Sequence, residues 1–146
     1  MSAAPTSKDD CICRVLRDAS RSITNAYDRA LAPVGIRTTQ FTMLSVLARQ
    51  STATVNQLSE LLGIDQTTTT RNINVLEEAG LIMRVAHHDP RVKLVKLTSK
   101  GKQKRLAAAD CWQDIQASVT SSVRSDEWET FKKVLHAIET SCNTKE

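Results

Sequence analysis

Thr67, Thr68, Thr70, Arg71 and Asn74 stand close together in the run QTTTTRNIN, and their types suit hydrogen bonding to a polar, anionic surface. Short hydroxyls meet base edges or phosphates, and a guanidinium fork matches guanine O6 and N7. Threonines are mediocre helix formers, so four in succession point to a surface chosen for contact rather than stability. Arg84, Asp89, Arg91 and Lys93 form a second group. They belong to a segment, Leu81 to Arg105, with eight basic residues and one acid, a formal charge of +7 in a chain whose total is +4. Such a concentration is the electrostatic footprint of a polyanion binder; the bland alternative is a solvated face with spare lysines. Asp89 stands two residues before Arg91, near enough to orient its guanidinium. A thin basic wing fits the minor groove, where negative potential is strongest. His87 and His88 beside it read as ordinary turn residues, with phosphate contact or a pH-sensitive wing as the functional alternative.

A third group opens the chain: Cys11, Cys13, Arg14, Arg17 and Arg21, with Tyr27 further on. Residues two apart on a regular helix diverge by about 200°, so Cys11 and Cys13 cannot jointly chelate a metal, and no metal or other cofactor is expected. Cys13 lies near a helix start with Arg17 one turn on, a setting that favours a reactive thiol, while Asp9 and Asp10 oppose it. A competing reading makes Arg14, Arg17 and Arg21 partners of an anionic effector such as an aromatic carboxylate, which guanidinium forks bind bidentately. Surface or dimer-facing salt bridges are the third option. The roles of Cys111 and Cys142 are not legible.

The elements that must position these groups follow from periodicity. Ile12, Val15, Leu16, Ala19, Ile23, Ala26, Tyr27 and Ala30 form one stripe of a long helix from about Asp10 to Leu31, ended by Pro33 and Gly35. Phe41, Leu44, Leu47 and Ala48 mark a second helix behind Thr38. Thr54 and Gln57 form a capping box for a third, with Leu58, Leu61 and Leu62 as its buried face and Gly63 as terminator. Asp65 caps a fourth that runs to Gly80. Unrolled at about 100° per residue, that helix turns Thr69, Ile73 and Leu76 inward and Thr67, Arg71, Asn74 and Glu78 outward. Two helices joined by Gly63-Ile64-Asp65 have helix-turn-helix spacing, whose second helix enters the major groove. Leu81–Ala86 and Val92–Leu97 flank a polar turn and read as a β-hairpin. Thr98 caps a long helix with a stripe through Ala108, Trp112, Ile115, Val119 and Val123, and Ser125 opens a last one with Trp128, Phe131, Leu135, Ile138 and Cys142.

The expected fold class is therefore mainly α with a small β-hairpin wing: a winged helix-turn-helix flanked by long N- and C-terminal dimerisation helices. One winged-helix domain spans 1-146, with 10-32 and 99-142 mainly for dimerisation and 54-98 as the DNA-binding lobe. The outer stripes exceed what the small central module can cover, which points to a homodimer. With 146 residues, 40% of them hydrophobic, the chain can build one core. Only four glycines and three prolines argue against turn-rich sandwiches and Gly-rich phosphate loops. Short apolar runs and the start MSAAPTSKDD suggest neither a membrane span nor a leader, hence a soluble cytoplasmic protein with reduced cysteines. Five aromatics, at least four on apparent core stripes, leave no stacking platform for single strands or RNA, so duplex DNA is the better polyanion. No GxSxG, HExxH, P-loop or paired CxxC occurs, and His87, His88 and His136 have no triad spacing, which argues against an enzyme. A winged-helix protein-interaction module without DNA binding is the alternative from another class.

The segment TVNQLSELLGIDQTTTTRNINVLEEAGLI, the wing DPRVKLVKLTSKG and the long terminal helices resemble the MarR-type (multiple antibiotic resistance regulator) transcription factors. The resemblance implies a homodimeric winged-helix regulator that dimerises through its terminal helices and senses a small molecule or oxidant in the crevice between dimer helices and DNA-binding lobe. A two-fold dimer calls for a pseudopalindromic operator, and the protein reads as a repressor released by a small anionic or aromatic effector. Within the family the chain is similar to the organic-hydroperoxide regulators, whose reactive cysteine also opens the first helix ahead of a tyrosine, here Tyr27. Those regulators place another tyrosine one turn after the cysteine, where this chain has Arg17. Thiol-based oxidant sensing through Cys13 stays open beside the effector reading.

Overall fold

A computed structural model describes residues 11–143, which include six helices and three short strands. Pro33 and Gly35 end the first helix as expected: α1 (Ile12–Leu31) passes into a 3-10 turn, Ala32–Val34, and Gly35 takes a left-handed φ of 71°. The part of the expected helix before Cys11 lies outside the described residues. Helix α2 (Thr38–Gln50) crosses the interior, burying Phe41, Met43, Leu44, Val46 and Leu47. The sequence stripe included Ala48, which is exposed; Met43 and Val46 take the inward places.

The next stretch carries a strand that periodicity missed. Ala53–Thr54, β1, pairs antiparallel with β3 (Leu94–Leu97) at Val95 and Leu94, and β2 (Ile82–Val85) pairs with the other edge of β3, giving the order β1-β3-β2. The hairpin is shorter than Leu81–Ala86 and Val92–Leu97: Val92 belongs to a turn closed by its N–H on the Asp89 carbonyl, and Leu81, Ala86 and Lys93 lie outside the ladder.

Helix α3 (Val55–Leu62) starts on the expected capping box: Thr54 Oγ1 accepts the Gln57 N–H at 3.2 Å, and Gln57 Oε1 accepts the Thr54 N–H at 2.9 Å. Its buried face corrects one expectation, since Leu61 is 54% exposed while Leu58 and Ser59 are buried. At about 100° per residue, 55, 58, 59 and 62 share a stripe and 61 falls off its edge. Gly63 is left-handed, and α4 (Gln66–Glu78) follows after three residues. Thr69, Ile73 and Leu76 are fully enclosed on its inner face, as their spacing requires. Each large apolar side chain removed from water contributes roughly 1.5–3 kcal/mol.

The end of α4 is welded to the start of α5 (Ser99–Thr120). Thr98 Oγ1 donates to the Gly80 carbonyl at 2.7 Å and accepts the Gly101 N–H at 3.0 Å. Gly101 is buried so closely that a Cβ there would fall onto the Leu81 carbonyl oxygen. Lys100 Nζ donates to the Ala79 carbonyl and Lys104 Nζ to that of Val34, both at 2.8 Å.

Two units divide the chain, one reaching Trp112 and the other starting at Gln113. The first contains the core just described, closed by Ala108 and by Trp112, whose ring lies 6.1 Å from that of Phe41. In the second, α6 (Ser125–Asn143) leaves Trp128, Phe131 and Val134 exposed. The Trp128 and Phe131 rings are 5.7 Å apart. Trp128 and Phe131 are thus not core residues of a single chain, and Val123 lies past the end of α5, 40% exposed. No helix among the described residues is long and apolar enough to cross a membrane.

Candidate nucleic-acid interface

The four threonines of α4 divide into distinct roles. Asp65, the residue before the helix, accepts the Thr68 N–H at 2.8 Å on one carboxylate oxygen and the Thr68 hydroxyl at 2.7 Å on the other. Those two bonds, the backbone one first, hold the Asp65 carboxyl below its ordinary value of 3.8. The Thr68 hydroxyl proton is therefore spent on the cap. Thr69 is interior, donating to the Asp65 carbonyl at 2.9 Å while the Ser59 hydroxyl lies 2.9 Å from its Oγ1. Thr67, Thr70 and Arg71 are left exposed.

At the wing, Asp89 organises Arg91. Its Oδ1 accepts the Arg91 backbone N–H at 2.9 Å and Nε at 3.2 Å, and its Oδ2 accepts Nη2 at 3.3 Å. The guanidinium, then the backbone N–H, hold the Asp89 carboxyl below 3.8. His87 Nδ1 in turn accepts the Asp89 N–H at 3.1 Å, and the His87 and His88 rings lie 4.0 Å apart. The Arg91 side chain remains 90% exposed, oriented rather than neutralised in the interior.

A cleft of about 340 Å³ brings these elements together: Gln66 and Thr70 of α4, Thr54 and Asn56 at the start of α3, and Arg91 and Lys93 of the wing line it. Thr70, Arg91 and Lys93 were expected site residues; Thr54, Asn56 and Gln66 were not. A signal for Thr54 and Asn56 existed in the capping box, and one for Gln66 in the Asp65 cap, since each marks a helix N-terminus where backbone N–H groups favour anions.

Asn74 and Arg84, expected as separate contacts, are bonded to each other. Arg84 Nη2 donates to Asn74 Oδ1 at 2.9 Å, and Nε donates to Glu77 Oε2 at 3.0 Å.

On α1 the Arg17 Nη2 is 3.5 Å from Cys13 Sγ, and both residues are exposed. Arg14 and Arg21 share Asp18, at 3.9 and 2.7 Å. Asp9 and Asp10 lie outside the described residues. Tyr27 is buried fourteen residues beyond Cys13 on the same helix, about 21 Å along the axis, so one chain does not bring the two together. Cys11 precedes α1 and is exposed, Cys111 packs half-buried against the core, and Cys142 is exposed. Among the described residues no group of three or more His, Cys, Asp or Glu could hold a metal.

The MarR family profile matches residues 34–91. Over 100 residues the chain is 32% identical to the organic hydroperoxide resistance transcriptional regulator of Bacillus subtilis, an alignment covering 68% of each protein. The chain belongs to the MarR family. The M. tuberculosis transcriptional regulator MosR, solved in complex with DNA, is 35% identical with a TM-score of 0.81, over 90% of this chain and 96% of that one. A mutant E. coli MarR bound to operator DNA has the same TM-score at 24% identity, over 87% and 92%, a similarity that speaks to the fold alone.

For this MarR-family chain, the profile match begins at the turn after α1 and ends on Arg91. It thus takes in the helix-turn-helix and the Asp89–Arg91 turn, and leaves α1 and α6 outside. The winged-helix expectation agrees with the family and its solved structures.

Proposed function

We propose that the protein acts as a homodimer on a pseudopalindromic DNA operator, with α4 of each copy in the major groove and the wing tip in the adjacent minor groove. As a MarR-family chain it is a DNA-binding transcriptional regulator. The observation that carries the docking geometry is the single cleft joining Thr70 to Arg91 and Lys93, since a phosphate strand seated there touches helix and wing at once. Thr67 and Arg71 supply donors for base edges, and Arg91, presented by Asp89, enters the minor groove. The similarity to MosR, solved in complex with DNA, supports a duplex as the partner. Ile12, Val15 and Ile23 on α1 and Trp128, Phe131 and Val134 on α6 are exposed apolar groups of the kind a two-fold partner covers. The regulator domain spans 1-146, with residues 54-98 as its DNA-binding lobe and the terminal helices for dimerisation. No residue is assigned a catalytic role.

The protein is read as a repressor, released by a chemical signal. An anionic effector at Arg14 and Arg21 has to displace Asp18, which already engages both. The thiol reading is favoured by the Arg17 guanidinium beside the exposed Cys13 sulfur and by similarity to a hydroperoxide-resistance regulator. In it, the Cys13 thiolate attacks an organic hydroperoxide, an S–O bond forms as the O–O bond breaks, the sulfur keeps the OH as sulfenic acid, and the leaving alkoxide takes a proton from water to give the alcohol, the thiol being oxidised and the peroxide reduced.

The test is a salt titration of binding to the promoter DNA beside the gene, with and without peroxide or aromatic acids. Steeply salt-dependent, sequence-preferring binding supports the reading. Absence of duplex binding at low salt points instead to a protein-interaction module.

A further inference from the structure

We infer that Arg84 is a positioning residue and not a DNA contact: it ties the wing to the recognition helix and, by holding the amide oxygen of Asn74, fixes the amide so that Asn74 reads through its NH2 group. The inference rests on the DNA-binding reading above. Arg84 lies within β2, opposite Val95 of β3, and its fork spans to two residues one turn apart on α4, Asn74 at 2.9 Å and Glu77 at 3.0 Å. A guanidinium has five N–H donors and no acceptor, so the Asn74 atom facing Nη2 is the oxygen, and the orientation of the amide follows. Both ends of this strut are fixed, one by the helix and one by the strand ladder. It therefore sets the distance between the exposed face of α4 and the strand that leads to Arg91.

Two consequences follow for recognition. Glu77 sits against Arg84 as a carboxylate partner, so little net charge is left at this point for a phosphate. Asparagine reads adenine with both amide atoms, the oxygen accepting from N6 and the nitrogen donating to N7. With the oxygen fixed on Arg84 at 2.9 Å, the amide is not free to turn and lay both of its atoms along adenine, although one lone pair of the oxygen remains; the NH2 group, which suits guanine O6 and N7, thymine O4 or a phosphate oxygen, is the reader.

The experiment compares wild type, Arg84→Ala and Arg84→Lys on duplexes carrying every base at every operator position, together with a salt titration of each protein. Arg84→Ala releases the Asn74 oxygen, and adenine should gain on the order of fivefold or more at one position per half-site, with the salt slope unchanged. Adding Asn74→Ala should abolish that gain. If Arg84 were a phosphate contact, Arg84→Ala would lower the slope by about 0.9 per half-site and leave the base preferences parallel to wild type, which overturns the inference. Lysine keeps the charge but not the fork, so Arg84→Lys should also gain adenine, and it serves as the decisive variant if Arg84→Ala does not fold; parallel preferences in Arg84→Lys again overturn the inference. Wild-type protein that binds no duplex at low salt removes the DNA-binding reading itself, a result distinct from either outcome at Arg84.

Discussion

The Ser59 hydroxyl lies 2.9 Å from the Thr69 hydroxyl inside the helix-turn-helix, and this buried pair distinguishes Thr69 from the three threonines beside it. Thr69→Ala removes a bond to Ser59 and another to the Asp65 carbonyl and should cost roughly 1–3 kcal/mol of stability. Thr67→Ala, on the exposed face, should stay within about 0.5 kcal/mol while weakening DNA binding. Thermal unfolding and a binding titration of both variants check the contrast; equal stability losses would contradict it.

Gly101 is demanded by packing rather than by its backbone angles, because any side chain there meets the Leu81 carbonyl. Gly101→Ala should destabilise by about 1–3 kcal/mol or more as α5 is pushed from the end of α4. Denaturant unfolding at constant slope measures it, and an unchanged midpoint would show that the junction yields freely.

Acid should break the Asp89–Arg91 pair only at low pH. Arg91 holds the Asp89 carboxyl below 3.8. A depressed folded value means that the stabilisation is complete above the ordinary value and is lost as pH falls through the folded one. The Asp89–Arg91 bonds should therefore be intact from neutral pH down to about 5 and give way below 3.8. Carboxyl NMR of Asp89 should show a midpoint under 3.8 that rises in Arg91→Ala; a midpoint above 3.8 in wild type would contradict the bond's role.

Signal sensing separates at Cys13. Cys13→Ser should bind DNA normally and ignore organic hydroperoxide, while Cys11→Ser stays responsive. A shift from 99:1 bound to 1:99 needs about 5.5 kcal/mol of differential affinity, so the release by wild type should be large. If Cys13→Ser responds and Arg14→Ala does not, the anionic effector is the signal.

Local signals were legible and distant ones were not. Gly63 and Asp65 bracketed the turn because each acts within one helical turn of its own position, and Thr54 with Gln57 did the same for α3. Leu61 was misplaced because leucine spacing alone admitted it to a stripe that Ser59 completes. Strand β1 has two residues, too few for an alternating pattern. Three cations of the +7 segment also hold the fold: Arg84, Lys100 and Lys104 are bonded to partners 10, 21 and 70 residues away, contacts that periodicity and charge counting do not report. Asp89 and Arg91, two residues apart, were paired as their spacing suggested.

The central claim is that α4 and the wing grip one duplex together, and the most direct measurement is a paired salt and base-substitution titration of Arg71→Ala and Arg91→Ala. Arg91→Ala should weaken specific and nonspecific duplexes alike and flatten the salt slope. Arg71→Ala should cost roughly 1–3 kcal/mol and relax preference at one base pair per half-site, with half-site centres about 10 bp apart. Unchanged affinity of Arg91→Ala at moderate salt, together with a base profile of Arg71→Ala parallel to wild type, would contradict the account.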